Sequence, residues 1–117
     1  MEKPEQMIRL VMLEDFYGPL LTDKQQMVLN LYCENDWSLS EIADHIGVTR
    51  QAVYDLLKRA ENSLEGYEKR LGLVIKFIET REQLEEVYEV LTKNHNLDKD
   101  TITGVVNKLR GIIDAVY

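Results

Sequence analysis

Five side chains in one short stretch could do recognition chemistry: Arg50, Gln51, Tyr54, Lys58 and Arg59. On a helix they would share, with Asp55, the face turned away from the apolar stripe Ala52, Val53, Leu56, Leu57 and Ala60. The N-terminal residues of such a helix reach base edges when it enters a major groove. Arg50 could pair with a guanine there and Gln51 with an adenine. Lys58 and Arg59 could contact phosphate, which positions a protein without specifying sequence. The same helix could equally dock on a protein, because a scaffold does not fix its ligand.

Catalytic chemistry has no comparable set of residues. His45 and His95 lie far apart in the sequence, and no cysteine cluster or metal-ligand spacing accompanies them. No glycine-rich phosphate loop follows a strand, and no strand is expected. A non-enzymatic protein without cofactor or metal is therefore expected. His45, beside an apolar helical face, reads as a half-buried packing residue. Trp37, next to a helix cap, reads as core.

The elements that would hold the five residues are written in capping chemistry. Ser38 and Glu41 are three apart and form a capping box for a helix whose apolar face is Leu39, Ile42, Ala43 and Ile46. Ala43 is small where a second helix must cross closely. Gly47 can adopt the left-handed conformation that ends the helix. Val48 fills the corner, and Thr49 caps the second helix. Helix, short glycine turn, helix over 38–60 is a helix-turn-helix. Thr22 and Gln25 form another capping box ahead of a helix over 23–35, which completes a three-helix core.

On either side, helices are expected over 5–17 and, by extension of the recognition helix, up to Leu71, with Gly72 as its end. Two more follow over 73–94 and 98–115. The fold class is thus all-α, with a helix-turn-helix domain over 1–71 and a helical extension over 72–117, packed on the same core or on a second subunit. The last helix carries Ile102, Val105, Val106, Leu109, Ile112, Ile113 and Val116, more apolar surface than the remaining chain can cover. A homodimer through the first and the last two helices is expected.

The chain has 117 residues and a formal charge of −7, which argues against a general nucleic-acid binder. Residues 22–60 hold six acids and four bases, whereas across 49–60 Arg50, Lys58 and Arg59 outweigh Asp55 for a net +2. That is enough for a few phosphate contacts and little non-specific affinity. Glu79, Glu82, Glu86 and Glu89 form an acidic row, either a solvated face or a docking strip for a basic partner. The single cysteine, Cys33, excludes an internal disulfide, fits a reducing compartment and reads as a small buried hydrophobe. No signal-peptide pattern opens the chain, and no apolar run approaches the roughly 20 residues of a membrane span. A cytoplasmic protein is expected.

The segment LTDKQQMVLNLYCENDWSLSEIADHIGVTRQAVYDLLKRAENSL resembles the promoter-element-binding domain at the C-terminal end of sigma factors. The whole chain, above all LEDFYGPLLTDKQ and DWSLSEIADHIGVTRQAVYDLLKR, resembles the YlxM family of small bacterial proteins. Genes of that family lie beside those of the signal recognition particle protein and its receptor. The resemblance therefore implies an accessory or regulatory protein of that targeting pathway, docking on the particle's protein, its RNA or both. The sigma-like segment implies the alternative of a sequence-specific duplex-DNA regulator. Sigma-like domains carry a dense basic run after the recognition helix, where this chain has KRAENSLEGYEKR.

Overall fold

The structure, a computed structural model, describes residues 4–94 and 96–116. Among these residues the chain forms six α-helices and no strand. They are α1 (Pro4–Tyr17), α2 (Asp23–Leu29), α3 (Leu39–Ile46), α4 (Arg50–Leu71), α5 (Leu73–Lys93) and α6 (Lys99–Val116). His95 lies outside the described residues. Backbone contacts divide the chain into one compact unit ending at Val74 and another starting at Ile75.

In the first unit the helix starts are set by side chains close in sequence. The Thr22 hydroxyl accepts from the Gln25 N–H at 3.2 Å, and the Gln25 side chain accepts from the Thr22 N–H at 3.1 Å. Ser38 and Glu41 repeat the pattern at 3.1 and 3.0 Å. Each box satisfies donors that a helix start otherwise leaves open. The core they frame is aliphatic. Leu10 and Leu13 from α1, Val28 and Leu29 from α2, Ile42 and Ala43 from α3, and Val53, Leu57, Ala60 and Leu64 from α4 are all buried.

Tyr17 closes the base of this core. Its hydroxyl donates to Glu68 Oε1 at 2.5 Å and accepts from the Leu73 N–H at 3.0 Å. The same Glu68 oxygen accepts from the Val74 N–H at 3.0 Å. Two side chains distant in sequence thus cap the start of α5. Outside the core, Arg9 donates to both oxygens of Glu65 at 2.6 and 2.8 Å, joining α1 to α4. This exposed pair contributes at most about 1 kcal/mol.

Three local expectations are corrected. The helix expected over 23–35 is α-helical only to Leu29, and residues Asn30–Glu34 form a π turn. Asn35 explains the widening: its N–H donates to the Asn30 carbonyl at 3.3 Å and its side-chain amide to Asn30 Oδ1 at 3.1 Å, stabilising a ring one residue larger than an α turn. Cys33, expected buried, is half-buried in that turn. His45, expected half-buried, is exposed, and its ring meets the half-buried Trp37 edge-on at 5.0 Å.

Glu14 is a partly buried acid of this unit. One of its carboxylate oxygens is buried without a hydrogen-bond partner. Burial holds its pKa above the ordinary carboxylate value, helped by the charges of Glu34 and Asp15 and opposed by a hydrogen bond with Cys33. Below the ordinary value both folded and unfolded chains hold the proton, and the group does not affect stability. As pH rises toward the raised value the unfolded chain ionises first, so stability falls, and above it the full penalty is present. Glu14→Gln should therefore gain stability relative to the parent between pH 4 and pH 7. Urea titrations at the two pH values check this, and a constant difference would refute it.

The second unit is a pair of helices. Asp98 caps α6 by accepting from the Thr101 N–H at 2.7 Å. Val87 of α5 and Ile112 of α6 are buried, and Lys108 of α6 forms an ion pair with Glu86 of α5. Most of the apolar side chains stay outside: Leu84, Tyr88, Leu91, Ile102, Val106, Ile113 and Val116 are all exposed.

Candidate nucleic-acid interface

The first turn of α4 is positioned by three groups in the corner before it. Gly47 adopts φ +73°, ψ +38°, and the N–H groups of Gly47 and Val48 both donate to the Ala43 carbonyl, at 2.9 and 3.1 Å. This left-handed stop ends α3. The Thr49 hydroxyl then accepts from the Ala52 N–H at 3.0 Å and starts α4. An added Cβ at Gly47 would meet nothing within 4 Å, so a substitution there strains only the backbone. Gly47→Ala should cost about 1 kcal/mol by urea unfolding. An unchanged midpoint would show that the corner tolerates another conformation.

All five residues expected to make contacts lie on the surface of α4. They do not form one cluster. Gln51 donates from its amide to Asp55 Oδ1 at 3.1 Å, one turn on. Tyr54 is 41% exposed, and the Lys58 ammonium lies 5.9 Å from the centre of its ring, within cation–π range. Lys58 also lies 3.8 Å from Glu61 Oε2. Tyr54 and Lys58 thus border a hollow toward α1, with Gln6, Leu10, Tyr32, Leu57 and Glu61. Arg50 borders a separate hollow with Tyr32, Ser38, Leu39 and Ser40.

Arg50 and Arg59 are nine residues apart, about two and a half turns, and so leave α4 on opposite flanks. A helix lying in a groove meets backbone on both walls, and two cations so placed can reach both. Gln51, Tyr54, Asp55 and Lys58 all lie between them on the outward face. Contact with phosphate on both sides is therefore geometrically open to α4, with Gln51 able to exchange its Asp55 partner for a base edge.

Reasoning from sequence missed Tyr32 and Glu61, which share the hollow with Tyr54 and Lys58. Only Glu61 was signalled by spacing, three residues after Lys58 on α4; Tyr32 reaches the same hollow through the packing of the whole unit. Among the described residues, no three His, Cys, Asp or Glu side chains come together as a metal-holding group.

Fold and site together define a helix-turn-helix protein of the all-α class. The chain belongs to the family described as "Putative helix-turn-helix protein, YlxM / p13 like", whose model matches residues 4–105. It is 50% identical over 82 residues to a UPF0122 protein of Caldanaerobacter subterraneus subsp. tengcongensis, covering 70% of each chain. It is 42% identical over 111 residues to a UPF0122 protein of Clostridium perfringens, covering 95% of this chain and 99% of that one. A UPF0122 protein of Listeria welshimeri is 43% identical over 102 residues, covering 85% of this chain and 93% of its own length.

Proposed function

We propose that this helix-turn-helix protein is a non-enzymatic, cytoplasmic accessory or regulatory factor of the signal recognition particle pathway, docking through α4 on the particle's RNA or protein. The observation that carries the reading is that Arg50, Gln51, Tyr54, Lys58 and Arg59 are all exposed on α4 of a chain of net charge −7. An acidic body repels nucleic acid in general and favours binding through a locally basic stretch such as 49–60, net +2. The resemblance to YlxM proteins supplies the pathway. No helix among the described residues is long and apolar enough to cross a membrane.

The test is direct binding of the full chain to the purified particle protein, to its RNA and to their complex, at fixed salt. Binding to any one supports the reading, and binding to none overturns it. A duplex-DNA regulator is the second reading, favoured by the capped corner and by Arg50 and Gln51 at the start of α4. Selection from a random duplex pool would enrich a common site under that reading and none under the first.

The chain is also proposed to form a homodimer, with the exposed apolar faces of α5 and α6 at its seam. A two-helix unit leaves one face of each helix uncovered, and such surface calls for a partner. Light scattering should give twice the 13.7 kDa chain mass. Ile113→Glu, which places a charge on a side chain 56% exposed, should return it to the single mass. A monomer in the unsubstituted protein would overturn the dimer.

A further inference from the structure

The hollow between α1, the π turn and α4 encloses about 170 Å³. That is below the roughly 300–1,000 Å³ of a site for a drug-sized ligand. It is close to the roughly 150 Å³ cavity that holds one benzene ring. It is partly open to solvent, so a single planar base can insert an edge there while the rest of its nucleotide stays outside. Leu10 and Leu57 line it with apolar surface, Tyr32 and Tyr54 with aromatic surface, and Lys58 and Glu61 with opposite charges 3.8 Å apart.

We propose that this hollow binds one unpaired guanine base of an RNA loop or bulge. The inference rests on the RNA side of the function proposed above and names the feature that would be read. Guanine offers two adjacent donors, N1–H and the N2 amino group, which match the two oxygens of the Glu61 carboxylate. Its O6 acceptor, next to N1–H on the same edge, matches the Lys58 ammonium. Adenine offers that carboxylate a single donor on the corresponding edge, and uracil flanks its one donor with two acceptors. Tyr54, a residue 41% exposed, can stack on the base, as aromatic side chains do in recognition of single-stranded RNA. In a duplex both guanine donors are taken by cytosine, so an uninterrupted helix cannot fill the site. The exposed Lys58–Glu61 pair, three residues apart on one helix, is weak enough to open for the ligand.

The experiment uses the full chain and three hairpin RNAs alike except for a single bulged guanine, a single bulged adenine or no bulge, compared by fluorescence anisotropy at one salt concentration. The bulged-guanine hairpin should bind about tenfold more tightly than the other two. Glu61→Gln, with its helical content unchanged by circular dichroism, should abolish that ratio without weakening binding to the paired hairpin. Equal affinities for the three hairpins, or a ratio that survives Glu61→Gln, overturn the proposal and leave RNA binding intact. If none of the hairpins binds, the RNA reading fails, and guanosine 5′-monophosphate decides the pocket by itself. Amide shifts centred on Tyr54, Leu57 and Glu61, larger than with adenosine 5′-monophosphate, support it, and silence there overturns it.

Discussion

Tyr17→Ala is expected to lower unfolding free energy by about 3–5 kcal/mol, the range for removing a buried aromatic ring. Tyr17 is 1% exposed and its ring lies 6.0 Å from that of Tyr67 and 6.3 Å from that of Phe16. Two effects add. The ring leaves a cavity at the base of the core, and loss of the hydroxyl strands the Leu73 N–H and one bond to Glu68. Tyr17→Phe separates them: it keeps the ring and should cost about 1–2 kcal/mol. Glu68→Gln in the Tyr17→Phe background should add less than it does alone, because both changes act on one network. Urea unfolding of the four variants and the parent checks this. A loss below 1 kcal/mol for Tyr17→Ala would mean that the site collapses around the gap and that α5 does not depend on this cap.

Reversing both flanking cations, Arg50→Glu with Arg59→Glu, is expected to weaken binding to the particle's RNA about a hundredfold. One base-contacting arginine is worth about 1–3 kcal/mol, and removing a cation from a phosphate also flattens the dependence on salt. Both residues are exposed, so stability should stay within about 0.5 kcal/mol of the parent. The salt slope is the informative readout. A fall in affinity with an unchanged slope would place the two arginines against protein or base edges instead of phosphate. Unchanged affinity would remove α4 as the recognition element.

The start and stop signals of the first unit were legible because capping is local. Thr22 with Gln25, Ser38 with Glu41, and Thr49 with Ala52 each act within three residues, and Gly47 acts through its own φ. The π turn was not legible. It depends on Asn35 reaching back to Asn30, a five-residue span that any helical periodicity reads as a slightly long α-helix. His45 was misjudged for a related reason: its place beside Leu39, Ile42 and Ala43 says which face it borders, but not how far its ring swings toward Trp37.

By itself, then, the sequence determined an all-α chain, the helix-turn-helix corner, and which side of α4 turns outward, since caps and apolar period are set by near neighbours. Only the tertiary structure decided that Tyr17 and Glu68, 51 residues apart, jointly cap α5. It alone also placed Tyr32 of the π turn around the same hollow as Tyr54, Lys58 and Glu61 of α4. Such meetings follow from how helices cross, which is settled by the packing of the whole core and leaves no trace in the spacing of residues along any one helix.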